Sequence, residues 1–233
     1  MSTHEPCPKC KSRDNLARYS DGSAWCFGCG YYEKSNSHIT RFTHSPIQSS
    51  AVVGGTPPQS NTLNTHIKWC NKYGLTIKEI EQHGIYTDIY NNIVFPFFIE
   101  KDLVGYLLRT SNQKRKYIAK GNKLQMSIAS LQNTQGKTLV FVEDIVSCIK
   151  VSRHSPCISL FGSHLPIELV LRFLHTFKNF CLWLDPDKRK ESLVQTLKLS
   201  SKGIQIRSIL RCTVDPKECS DLEIKEYLNE NTI

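Results

Sequence analysis

No stretch of this 233-residue sequence approaches the ~20 consecutive apolar residues that cross a bilayer, and its polar start, MSTHEPCPKC, lacks the apolar segment of a signal peptide. These absences argue against a secreted or membrane role. Acidic residues are scarce too: 21 Asp and Glu stand against 30 Lys and Arg, for a formal net charge of +9. That surplus favours a polyanionic partner, most simply nucleic acid. At 39% hydrophobic and 22% charged residues, the composition excludes collagen, a coiled-coil rod and a wholly disordered chain. The length exceeds the usual single domain of roughly 100–150 residues, so one medium domain with a smaller module is expected.

Residues 34–62 contain no acidic residue and no periodicity, and are rich in Ser, Thr, Pro, Gly, Asn and Gln. They read as a flexible tether between a front module, residues 1–33, and the body of the chain. Within the body, HIKWCNKYG and LTIKEIEQHG read as short helices closed by Gly74 and Gly84, with Thr76 as an N-cap. NIVFPFFIEKDLVGYLLRT reads as two strands joined at Glu100–Asp102. From Thr138 the chain alternates between strands (TLVFV, CISLF, FCLWL, IQIRSIL) and helices (DIVSCIKVSR, PIELVLRFLHTF, KRKESLVQTLKLS, DLEIKEYLNE). This alternation predicts a parallel α/β sheet with helices on its faces.

Of the ten cysteines, four fall in the front module as Cys7-Pro-Lys-Cys10 and Cys26-Phe-Gly-Cys29, fifteen residues apart. That is the spacing of a four-cysteine zinc ribbon: each CxxC turn offers two thiolates, and Zn²⁺ takes four tetrahedrally. So small and polar a segment needs the metal to fold. The other six cysteines read as ordinary buried or surface thiols. Lys9, Lys11, Arg13, Arg18, Tyr19, Trp25, Phe27, Tyr31 and Tyr32 interleave cations with aromatics, a composition suited to stacking and clamping single-stranded bases. The competing reading is that half of those aromatics pack the module itself.

Between Leu103 and Lys137 lie Arg109, Lys114, Arg115, Lys116, Lys120, Lys123 and Lys137, and no acidic residue. A solvated face mixes signs, so a one-sign stretch points to phosphate contact. Gln135-Gly136-Lys137-Thr138 resembles a P-loop only superficially, because position 131 is Leu and a strand follows where a helix is needed. The acids gather instead at strand ends. Glu143 follows TLVFV, Asp185 and Asp187 follow FCLWL, and Asp215 and Glu218 follow IQIRSIL. In a parallel sheet these ends share one rim, and converging carboxylates call for a cation, with Mg²⁺ the natural hard-oxygen partner.

VEDIVSCIKV, LFG and LWLDPD resemble the glutamate, glycine and DxD motifs of the Toprim domain. With the ribbon in front, LVGYLLRT…RKYIAKG between and the DPKE loop behind, the whole chain is similar to DnaG-type primases, most of all to the primase portion of short-tailed bacteriophage primase-helicases. The resemblance implies a zinc ribbon (1–33), a linker (34–62), a basic mixed α+β subdomain of the polymerase core (63–137) and a parallel-sheet Toprim domain (138–233). It implies a nucleotidyltransferase: a DNA-directed RNA polymerase making short primers on single-stranded DNA for replication, in the cytoplasm, or the host's if the chain is phage-borne. Zn²⁺ would sit on Cys7, Cys10, Cys26 and Cys29. Glu143, Asp185 and Asp187 would be the catalytic acids and would hold Mg²⁺, or Mn²⁺ in its place. Arg109, Lys114 and Lys116 would bind NTP phosphates, and Gly162 would let backbone approach the substrate.

Two departures stand out. Ser147 replaces the acid expected four positions after the glutamate, and Asp144 replaces a glycine, so Asp144 either substitutes for that outer ligand or the ligand is lost. No helicase segment is expected after residue 233, so unwinding would fall to a separate helicase. Two alternatives share the motifs. A RecR-like recombination mediator also joins a zinc finger to a Toprim fold but places a helix-hairpin-helix ahead of it. A Toprim nuclease shares the acids but gives no reason for the ribbon.

Overall fold

The computed structural model describes residues 3–18, 24–33, 57–110 and 116–229. The chain divides into two compact units, Met1–Ser50 with Leu197–Gln205 and Ala51–Thr196 with Ile206–Ile233. No helix among the described residues is long and apolar enough to cross a membrane.

The first unit contains an antiparallel sheet of four short strands in sequential order: β1 (Thr3–Glu5), β2 (Leu16–Arg18), β3 (Ala24–Cys26) and β4 (Tyr32–Glu33). Its apolar content is slight, with Leu16, Ala24, Cys7 and Cys26 buried and Tyr31 packed against them. So small a core is marginal without a covalent or metal staple.

In the second unit, β5 (Tyr86–Thr87), β6 (Ile93–Ile99), β7 (Asp102–Arg109) and β8 (Tyr117–Gly121) form an antiparallel sheet in that order. The expected turn after Ile99 is present and tight, with Glu100 in the left-handed region at φ 58°. β7 and β8 cross so closely that a Cβ on Gly105 would lie 2.6 Å from the Lys120 carbonyl oxygen and 2.8 Å from Met126. Three helices accompany this sheet: α1 (Thr65–Lys72), α2 (Ile77–Gln82) and α3 (Lys123–Ala129). Thr76 caps α2 in a reciprocal box with Glu79, and Gly74 and Gly84 close α1 and α2 with φ of 74° and 60°. Residues 57–62 belong to this body. Tyr86 donates to the Pro58 carbonyl at 2.7 Å, the Asn61 amide to Thr87 at 2.7 Å, and Ser60 bridges Asp88. The remainder of the expected tether, 34–56, lies outside the described residues.

The alternating half forms the expected parallel sheet from β9 (Thr138–Val142), β10 (Cys157–Ser159), β11 (Asn179–Trp183) and β12 (Ile206–Ser208), ordered β10-β9-β11-β12. Helices α4 (Ile145–Ser152), α5 (Ile167–Phe173), α6 (Arg189–Ser200) and α7 (Asp221–Asn229) alternate with these strands and follow the last. β9 and β11 are apolar throughout their inner positions, as strands covered on both faces must be. One hydrophobic core runs through the second unit, uniting Cys70, Phe95, Phe97 and Met126 with Val140, Ile149, Trp183 and Ile224. All six cysteines outside the ribbon are buried.

The strand order fixes where a ligand can sit. After β9 the chain turns toward β10, and after β11 toward β12, so the loops part above β9 and β11. In open α/β sheets that parting is the binding crevice.

Candidate active site and metal centre

The four cysteines converge. Cys7 and Cys29 sulfurs lie 3.7 Å apart, Cys10 and Cys26 sulfurs 3.6 Å apart, and all four fall within 4.8 Å of one another. Four thiolates around Zn²⁺ at about 2.3 Å place sulfurs about 3.8 Å apart, so this cluster could hold zinc. The knuckles are alike: the Lys11 amide donates to the Cys7 carbonyl and the Gly30 amide to the Cys26 carbonyl, each at 2.9 Å. The residue after each second cysteine is left-handed, Lys11 at φ 60° and Gly30 at φ 68°.

The expected base-clamping set is only partly available. Arg18 is engaged within the sheet, pairing with Glu5 at 3.0 Å and Glu33 at 2.8 Å, while Trp25 is buried and Tyr31 packs on the core. Tyr19 lies outside the described residues. Lys9, Lys11 and Arg13 remain within the described module as cations with no pairing role in its fold.

In the second unit, the acids gather at the crevice. Glu143 directly follows β9, and Asp185 follows Leu184 after the neighbouring β11. Glu143 Oε2 and Asp185 Oδ1 are both buried and accept no hydrogen bond. Burial raises the Glu143 carboxyl above its ordinary value, and the charges of Asp187 and Asp144 add to the rise. Asp185 is pushed up to about 7, again first by burial, against the pull of Lys217. Buried, unpartnered carboxylate oxygens are what a hard divalent cation would satisfy, so the donor set fits Mg²⁺. Glu143, Asp185 and Asp187 do not form a closed cage. Among the described residues, the cysteines are the group drawn together within 4.8 Å. Asp187 is 73% exposed beside Lys188, and Glu218 is exposed.

Asp144 and Ser147, the two departures, are partners. Asp144 caps α4, accepting from the Val146 and Ser147 amides at 2.9 and 3.1 Å, and its other oxygen accepts from the Ser147 hydroxyl at 2.7 Å. Both Asp144 oxygens are thus committed at the start of α4.

Arg109 and Tyr117 face each other across β7 and β8, and Arg109 Nη1 donates to the Tyr117 hydroxyl at 2.9 Å. The guanidinium also stacks on Trp69, 4.5 Å from its ring centroid. Desolvation around the Tyr117 hydroxyl raises its pKa, Arg109 opposes this, and the charges of Asp144 and Lys217 reach it as well. Lys116, next to Tyr117, is exposed. Lys114 and Arg115 lie outside the described residues. Lys123 donates to the Phe161 carbonyl at 2.9 Å, at the end of β10. There Phe161 and Gly162 both have positive φ, 50° and 147°, and the Gly162 amide donates to the Glu143 carbonyl at 3.1 Å. A Cβ on Gly162 would meet only Lys123 Nζ, at 3.8 Å, so its backbone angle and not crowding calls for glycine.

Sequence reasoning missed Trp69 and Lys217. Lys217 donates to Asp215 at 2.6 Å and to Asp144 at 3.3 Å, and lies 3.7 Å from Asp185.

No protein-family model matches the chain, and no curated protein matches it significantly. Its fold is nonetheless that of primases. The primase fragment of the bacteriophage T7 primase-helicase protein matches with a TM-score of 0.52 at 17% identity, over 99% of each chain. The zinc-binding and RNA polymerase domains of the Aquifex aeolicus primase match at 0.57 and 12% identity, over 98% of this chain and 78% of that one. A DnaG primase catalytic domain bound to single-stranded DNA matches at 0.50 and 14% identity, over 70% of each.

Proposed function

We propose that the chain is a DNA-directed RNA polymerase that lays short primers on single-stranded DNA. The observation that carries this reading is the pair of buried, unpartnered oxygens on Glu143 and Asp185, set across the crevice of a primase fold. Glu143, Asp185 and Asp187 would hold Mg²⁺, which when bound supplies positive charge against the oxygens of the reacting phosphate. The remaining work belongs to the chain. A 3′-hydroxyl held at the rim would attack the α-phosphorus of an NTP: the new O–P bond forms as the α–β phosphoanhydride bond breaks, pyrophosphate leaves, and the hydroxyl proton passes to solvent. Arg109, fixed by Trp69 and Tyr117, offers its remaining guanidinium edge to a phosphate, and exposed Lys116 adds a mobile charge. Lys114 is assigned to the same duty. The Gly162 turn, beside Glu143, lets backbone approach the substrate. Zinc on the four cysteines makes the ribbon a folded module, whose Lys9, Lys11 and Arg13 would grip the template.

Zinc-loaded protein incubated with single-stranded DNA, Mg²⁺ and labelled NTPs tests this directly. Template-dependent oligoribonucleotides are expected from the wild type and none from Asp185→Ala. Shortened DNA would instead indicate a nuclease, and DNA binding without either product a recombination mediator.

A further inference from the structure

Lys217 is an ammonium seated inside an acidic rim. It lies 2.6 Å from Asp215, 3.3 Å from Asp144 and 3.7 Å from Asp185, and its side chain is only 15% exposed. These three carboxylates come from three separate loops, after β12, β9 and β11. An ammonium carries three donors and one full charge, so it meets such a trio as a bound cation would.

Its position is held from behind. Pro216 opens a 3₁₀ turn, Pro216–Glu218, and Lys150 donates to the carbonyls of Lys217 at 2.7 Å and Cys219 at 2.6 Å. Lys150 is itself buried, on α4, so the loop that presents Lys217 is fastened to the helix beginning at Asp144.

The rim is therefore shared between two claimants. One Asp185 oxygen, Oδ2, is near Lys217, while Oδ1 has no partner, and neither has Glu143 Oε2. A divalent ion among Asp144, Asp185 and Asp215 would have to displace the lysine, since like charges at such distances repel. An ion on Glu143, Asp185 Oδ1 and Asp187 would not.

We infer that Lys217 is a built-in cation that takes the place of a second metal ion, so that the rim binds one divalent cation per chain and not two. This rests on reading the rim as a divalent-cation site. Lys217 acts here as a positioning residue. It neutralises Asp144 and Asp215 and leaves Asp185 with one oxygen for the metal.

The test is a direct count. Mn²⁺ is titrated into full-length, zinc-loaded protein while free Mn²⁺ is followed by electron paramagnetic resonance. The wild type should bind one Mn²⁺ per chain, Lys217→Arg should also bind one, and Lys217→Met should gain a second. Should Lys217→Met not fold, Lys217→Gln carries the same expectation. Two ions on the wild type, or one ion on both the wild type and the folded neutral variant, would overturn the inference. A wild type that binds no Mn²⁺ would overturn the metal-site reading beneath it.

Discussion

Asp187 and Lys217 occupy equivalent places in two copies of one local turn. Each follows an Asp-Pro pair, Asp185-Pro186 or Asp215-Pro216, and each lies in a 3₁₀ turn that the proline opens. The backbone angles of the leading aspartates nearly coincide, φ −59° and ψ 152° for Asp185, φ −62° and ψ 145° for Asp215. In both turns the amide three residues on donates to the aspartate carbonyl, Lys188 to Asp185 at 2.9 Å and Glu218 to Asp215 at 2.8 Å. One backbone device thus delivers an exposed carboxylate at one strand end and a sheltered ammonium at the next.

Asp185 makes stability depend on pH. Its carboxyl titrates at about 7 in the folded chain against 3.8 in a free side chain, so between those values the folded state holds a proton that the unfolded state has lost. This group therefore withdraws stability as pH rises from about 4 to 7, and above 7 the full cost remains. Asp185→Asn should raise Tm in zinc-loaded protein without added Mg²⁺, more at pH 8 than at pH 5. Relief of about 1 kcal/mol would appear as roughly 2–4 °C. Thermal melts at the two pH values check it, and an equal gain at both would assign the effect to something other than this carboxyl.

Zinc content should follow the cysteine cluster. Purified wild-type protein should carry one zinc per chain, and Cys26→Ser well below one, with loss of the ribbon's fold. A structural zinc contributes about 10–16 kcal/mol of apparent binding energy, far more than so few buried apolar side chains supply. Elemental analysis with near-ultraviolet circular dichroism reads both effects. Full zinc on the variant would place the metal elsewhere.

Arg153 should matter for folding and not for chemistry. From the end of α4 it bonds both oxygens of Glu79, at 2.7 and 2.8 Å, as well as the Gly74 carbonyl and Asp221. Burial alone would raise the Glu79 carboxyl, but the bonds from Arg153 and Thr76 bring it below its ordinary value. With 22% and 18% of the two side chains exposed, Arg153→Ala should cost about 2–4 kcal/mol in urea unfolding. A loss under about 0.5 kcal/mol would mean that water replaces the pair without penalty.

Single-stranded DNA affinity should fall with salt, and less steeply in Lys116→Ala/Lys120→Ala, because Lys120 is exposed on β8 and Lys116 is exposed just before it. Each phosphate that the variant no longer neutralises should reduce the log–log slope by about 0.7. Fluorescence anisotropy across a salt series measures it, and an unchanged slope would make these lysines a solvated edge.

What could be read in the sequence was whatever is written locally. The CxxC spacing, the Thr76–Glu79 box, the closing glycines and the apolar runs of β9 and β11 each carry their physics within a few residues. Strand β8 escaped because YIAKG neither alternates nor runs apolar, and its pairing depends on β7 across the segment 111–115. Helix α3 is short, though Asn122, which accepts from the Leu124 and Gln125 amides, was a readable cap. Arg18 looked like a cation available to nucleic acid because its partners, Glu5 and Glu33, sit on separate strands. Lys217 went unread for a related reason. Asp144 lies 73 residues away, and nothing nearby announces that Lys150 will fasten the loop.

The apolar core that joins the antiparallel sheet to the parallel one bears on how this molecule can be taken apart. Phe95, Phe97 and Met126 belong to one buried cluster with Val140, Val142 and Trp183, so a cut between Lys137 and Thr138 would bare two greasy faces at once. Neither half should keep its shape alone. The second unit should melt in one cooperative step, inherited, lost or engineered as a whole.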